Sequence, residues 1–148
     1  MQVAACAFAP TAVGAAGTSD QAVIVNGGST NTIGYTIAVR PDGTGSLTMQ
    51  HGTAKSLHLS GEMVKKFFTD LAAAQHSTAA TTGCIKSASF GSSTHVTWHG
   101  WTSGDLECPP GDAAGAALVN DVKAIREAAG IGSAPLRTGP QIESPAPP

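Results

Sequence analysis

The chain has 148 residues, a length that suits one domain with a core of its own. Charged residues make up 12% of it, the net charge is −2 and 41% is hydrophobic, which excludes the highly charged, apolar-poor composition of a disordered chain. Its eight Lys and Arg form no basic run, so nucleic acid is not an expected partner, and no stretch approaches the ~20 consecutive apolar residues of a membrane span.

The chain divides into an apolar arm or signal remnant at 1–19, a single domain at 20–131, and a Pro-rich tail at 132–148. Met1 to Gly17 is Ala-rich, with no charge before Asp20. It reads as the tail of a secretory signal without its basic n-region, and Val3-Ala4-Ala5-Cys6 also fits a bacterial lipobox. As an arm it is too apolar to stay free in water and too interrupted by Pro10 for a stable helix. It is then expected to lie extended against a neighbouring copy, with Val3, Cys6, Phe8 and Val13 in the contact.

Asp20 to Asn26 holds Ala-Val-Ile-Val, a short strand, broken by Gly27-Gly28-Ser29-Thr30-Asn31. Tyr35, Ile37 and Val39 alternate with smaller residues, the period of a strand. Pro41-Asp42-Gly43 is a turn signal, and Leu47 and Met49 resume the alternation to close a hairpin. Lys55 to Leu59 adds a further strand. Ser60 then suits the N-cap of a helix reaching about Gln75, with Met63, Phe67 and Leu71 in one stripe widened by Val64 and Phe68.

After a Thr/Ala-rich connector, the stretch from Cys84 to Cys108 carries both tryptophans, and reads as a β-ribbon turning at His99-Gly100. Trp98 and Trp101 should face each other across that turn. Asp112 follows Pro109-Pro110-Gly111 as the N-cap of a second helix, whose stripe is Leu118, Val122, Ile125 and Ala129, with Gly130 at C′. The order strands, helix, strands, helix implies an α+β fold: an antiparallel sheet of hairpins with two helices packed on one face.

Cys84 and Cys108 bracket the ribbon and are expected to form a disulfide, worth ~3 kcal/mol by loop closure. Three inert buried thiols are the plain alternative. A disulfide implies an oxidising compartment, hence an exported protein at the cell surface, outside the cell or in a periplasm. Cys6 is left as the odd thiol: lipidated, free or bridged to another chain.

Signatures of catalysis are missing. There is no Gly-x-Ser-x-Gly, no His-Glu-x-x-His and no Gly-x-x-x-x-Gly-Lys. Asp105 and Glu107 would share a face of a presumed strand, and read more simply as a solvated sheet edge. His95 and His99, on a strand, would stand ~13 Å apart, too far for one metal ion. Neither a catalytic residue nor a metal or other cofactor is therefore expected. Trp98 and Trp101 either cap the core or form an exposed anchor, since Trp is enriched where interfaces concentrate their energy.

Lys86-Ser-Ala-Ser-Phe-Gly, Thr94-x-Val-x-Trp, Asp105-Leu-Glu-Cys108-Pro and Asp121-Val122 resemble a type of small, uncharacterised secreted bacterial α+β protein. The Tyr35-x-Ile-x-Val-x-Pro-Asp-Gly hairpin and its helix look similar too. The hairpin-then-helix layout is also similar to small bacterial metallopeptidase inhibitors of the emfourin kind, in layout only, with no inhibitory residue matched.

Low charge, an odd cysteine and an apolar arm lead to one functional expectation: a non-catalytic extracellular structural protein that associates with copies of itself through its arm, as a fibre or surface-assembly subunit. The alternative is a secreted binding module or peptidase inhibitor that meets another secreted protein through the Trp98/Trp101 turn.

Overall fold

The computed structural model describes residues 20–77, 83–87 and 91–132. Eight elements follow in chain order: β1 (Ala22–Asn26), β2 (Tyr35–Val39), β3 (Thr44–Met49), β4 (Lys55–His58), α1 (Gly61–His76), β5 (Thr94–Trp98), β6 (Trp101–Thr102) and α2 (Ala113–Ala128). The strands form one antiparallel sheet in the order β4-β3-β2-β1-β5-β6. β1 lies inside it, pairing Ile24 with Ile37 of β2 on one side and with Val96 of β5 on the other. The protein is thus α+β, with two helices on a six-stranded sheet.

Alternation on the strands decides which face they cover. Ala22, Ile24, Tyr35, Ile37, Val39 and Val96 are buried together with Val64, Phe67 and Leu71 of α1 and Leu118, Val122 and Ile125 of α2. The helices also pack on each other. Ser60 caps α1 by accepting the Met63 amide at 3.3 Å, and Asp112 caps α2 by accepting the Gly115 amide at 2.8 Å. Gly130 follows α2 at φ 79°, the left-handed residue that ends a helix without a Cβ penalty.

Two turns set the register. In Pro41-Asp42-Gly43 the Asp42 carboxylate accepts the Thr44 hydroxyl at 2.6 Å and the Thr44 amide at 2.8 Å, and those bonds hold its pKa below the usual value. Gly43 takes φ 85°, and a Cβ there would stand 2.7 Å from the Leu59 carbonyl oxygen. His99 and Gly100 take φ 47° and 76°, the two-residue loop that matches strand twist. Trp98 therefore pairs with Trp101, as alternation requires.

The ribbon is shorter than its sequence suggests. β6 ends at Thr102, so Asp105 and Glu107 lie in a turn rather than on a strand. Asp105 supplies the reason: its carboxylate accepts the backbone amides of Thr94 and Glu107 and curls the chain back over the start of β5. His99 likewise stands in the hairpin loop, off the strand that carries His95.

Candidate functional site

Two clusters lie at opposite ends of the sheet. The first surrounds the hairpin loop at His99-Gly100. Trp98 and Trp101 are half-buried and packed against the core. The Trp98 ring meets Phe68 of α1 edge-on at 5.8 Å and stacks on His99 at 4.1 Å. Its indole N–H is buried, with no hydrogen-bond partner among the described residues. His99 in turn reaches the Asp20 carboxylate at 3.1 Å. The sheet turns these tryptophans toward α1, so they close the end of the core.

The second cluster surrounds the disulfide. Cys84 and Cys108 are joined with Cα atoms 5.6 Å apart, as their bracketing of the ribbon implies. Cys108 is buried, whereas Cys84 is exposed. Two residues on, Lys86 turns inward. Its ammonium donates to the Ser92 carbonyl and to Asp105 at 2.5 Å in each case, and both ionic side chains are largely buried. Burial pushes the Asp105 carboxyl up, but the Lys86 ammonium and the Glu107, Ser93 and Thr94 donors outweigh it and hold the pKa at about 2. Between the two anchored residues Ile85 projects fully into solvent, at 103% relative exposure.

Beneath this loop a polar network ties the strands together. Asn26 of β1 donates to Thr94 at 2.8 Å and to Ser92 at 3.2 Å, and Thr94 donates to Glu107 at 2.7 Å. Arg126 of α2 lies 3.6 Å from Glu107 and 5.7 Å from the centre of the Tyr35 ring. Burial raises the Tyr35 phenol above its ordinary pKa, with Arg126 acting against it. Such a network orients a loop firmly. Asp105, held as a strongly stabilised anion, is a weak base within it.

On the sheet face away from the helices, the strand positions carry Val23, Val25, Thr36, Ser46, Thr48 and Thr97 among other uncharged residues. No Asp, Glu, Lys or Arg stands on that face of a described strand. β4 is one edge of the sheet, and every residue from Thr53 to His58 except Leu57 is exposed. Among the described residues no three His, Cys, Asp or Glu side chains converge to hold a metal ion, and no helix is long and apolar enough to cross a membrane.

Of the residues singled out in the sequence, the structure joins Cys84 with Cys108 and sets Trp98 beside Trp101, at different ends of the sheet. Val3, Cys6, Phe8 and Val13 lie outside the described residues, as does most of the Pro-rich tail. Sequence reasoning missed Ile85 as the most exposed large apolar residue among those described, and Lys86 as its inner anchor. The signal was there in part: Lys86 and Asp105 stand two and three residues from the paired cysteines, as opposite charges in a chain with few of them. Comparison with family models, with curated proteins and with solved structures finds no match to this chain.

Proposed function

We propose that the protein is an exported, non-catalytic subunit of an extracellular assembly, formed when the N-terminal arm of one copy adds to the sheet of the next. The exposed β4 edge carries this reading. An edge strand presents unpaired N–H and C=O groups, and proteins that avoid self-pairing blunt such edges with short strands, charges, prolines, bulges or a covering element. Apart from its short length, β4 has Lys55 alone. Main-chain pairing asks little of the incoming sequence, which suits an arm of Ala, Val and Thr. The uncharged outer face adds no like-charge repulsion between stacked copies. The disulfide fits an oxidising compartment.

An arm on one copy and an edge on the next are different surfaces, so the contact repeats into a ring or an open filament. Deleting residues 1–17 is expected to leave the melting temperature and the disulfide unchanged and to convert the assembly to monomer. Size-exclusion chromatography and negative-stain microscopy at matched concentrations check it. Assembly by the truncated chain, or a full chain that stays monomeric at high concentration, contradicts the reading.

A further inference from the structure

The loop at Cys84-Ile85-Lys86 has a geometry that self-association does not use. A large aliphatic side chain in full solvent is not remarkable on a frayed segment, but this one is fixed on both sides. Cys84 is tied covalently to the buried Cys108. Lys86 is tied by its ammonium to Asp105 and to the Ser92 carbonyl. Beyond it the Gly91 amide donates to the Ser87 carbonyl at 2.7 Å, and a Cβ on Gly91 would stand 2.6 Å from Lys86 Cβ. Ser92 is held by Asn26, and the Ser93 carbonyl accepts the Gly27 amide at 3.0 Å. The loop is thus braced against β1 and against the segment that follows β6.

A braced loop loses little conformational freedom when a partner engages it, which is the main way a small contact gains affinity. The bracing has a second consequence if the partner is a peptidase. Cleavage of the Ile85–Lys86 bond would not release its products. The new carboxyl end would remain one residue from the disulfide, and the new amine would remain on Lys86, held by Asp105. The two halves of the chain would also stay joined by the β1–β5 pairing.

We propose that this loop is the binding loop of a substrate-like inhibitor of serine endopeptidases, with Ile85 filling an aliphatic specificity pocket. The enzyme's serine Oγ attacks the Ile85 carbonyl carbon, and the C–N bond to Lys86 breaks as the catalytic histidine delivers the serine proton to the departing nitrogen. The acyl group sits on the serine, and the Lys86 α-amine stays within reach at high effective concentration. Its attack on the ester reforms the peptide bond and returns the proton through the histidine to the serine. Hydrolysis by water is the slow competing path. No other reactant is consumed in the cycle of acylation and resynthesis.

The inference is independent of the arm: it is made of residues in the folded domain and requires no second copy. The test uses the oxidised full chain and pancreatic elastase, whose pocket accepts small aliphatic side chains. Residual activity on a chromogenic peptide is titrated against inhibitor concentration, for the natural chain, Ile85→Val and Ile85→Asp. The expected result is saturable inhibition by the natural chain, retained by Ile85→Val and weakened about 30-fold or more by Ile85→Asp. Ile85 is fully exposed, so the variants should melt with the natural chain, and their melting curves verify it. Prolonged incubation with a trace of enzyme should yield a fraction heavier by one water, with a new N-terminus at Lys86, that still inhibits. The proposal is overturned by no inhibition, by equal inhibition from Ile85→Asp, or by complete cleavage with loss of inhibition. Repeating the titration with the chain lacking residues 1–17 separates the two proposals, since a monomer that inhibits leaves only the assembly reading in question.

Discussion

The two ends of the sheet place their apolar side chains in opposite ways. At one end two tryptophans, which the sequence left as either caps of the core or an exposed anchor, pack on the edge of the core, with Trp98 against Phe68. At the other, an isoleucine stands in full solvent. Side-chain type does not decide the matter. The hairpin at His99-Gly100 is two residues long, so its pleat fixes which face Trp98 and Trp101 occupy, and α1 lies over that face. The Cys84 loop belongs to no strand: Cys84 is tied to Cys108 and Lys86 turns inward, while Ile85 between them points into solvent. The tryptophan end is held by broad packing, and the loop end by a few discrete anchors.

That distinction is sharpest when the anchors are cut. Replacing Cys84 by Ser and Cys108 by Ala together should lower stability by about 3 kcal/mol, through the freedom that the unfolded chain regains over a separation of 24 residues. Denaturant unfolding of the variant against the oxidised chain measures it. The loop end should lose protection from hydrogen exchange first, whereas the near-ultraviolet signal of the two tryptophans should persist below the transition. The partners of Trp98, Phe68 and His99, make no contact with the disulfide among the described residues. Loss of that signal in the folded variant would mean that the two ends are one unit.

Truncating one residue at each end tests the same contrast at smaller scale. Trp98→Ala is expected to cost about 2 kcal/mol, below the ~3–5 kcal/mol of a fully buried aromatic because the ring is only half-buried. Ile85→Ala should change stability by no more than about 0.5 kcal/mol, as at other exposed positions without a structural partner. Urea midpoints of the two variants, measured side by side, decide whether the tryptophan closes the core and the isoleucine is available for a contact. A large loss from Ile85→Ala would remove the ground for calling it available.

Much of this fold is legible in the sequence because local signals agree with one another. Ser60 and Asp112 cap helices that end close to where their stripes end, and the alternation of Tyr35, Ile37 and Val39 survives as burial. The strand order is less legible. Nothing local announces that β1 takes β5 as its second neighbour, since that pairing joins segments about seventy residues apart. The Asp105 turn is hidden for a related reason. Its alternating neighbours suggest a strand, and only the approach of Lys86 and the Thr94 amide makes a turn the better arrangement. Asp121 also gave no warning, being a charge on the buried side of α2. It is tolerated because Lys66 of α1 reaches it from across the helix pair, at 2.5 Å.

Those two aspartates, each paired with a lysine, sharpen the comparison through pH. At the loop end the Asp105 carboxylate is stabilised by more donors than burial takes away, and its pKa falls from 3.8 to about 2. The folded state therefore binds that proton less readily than the unfolded chain does. Its stabilisation is complete above the ordinary value and is lost as pH falls from 3.8 to about 2, an effect of about 1–2 kcal/mol once solvent screening is allowed for. Between the helices the sign reverses. Burial raises the Asp121 pKa, Lys66 opposes it and the hydrogen bond with Asp70 adds to it, while Asp70 itself is held low chiefly by Lys66. The folded state holds the Asp121 proton more readily than the unfolded chain. Its contribution is fully present below the ordinary carboxylate value and is lost as pH rises through the raised one. Urea midpoints followed from pH 7 down to pH 2 should show it. Asp105→Asn should be less stable than the natural chain at pH 7 and should converge with it in acid. Asp121→Asn should move the other way, comparing better with the natural chain at pH 7 than at pH 4, and by the smaller amount. If both variants converged with the natural chain in acid, the helix-pair aspartate would be an ordinary salt bridge. The discrete anchor and the packed interior would then answer to pH alike.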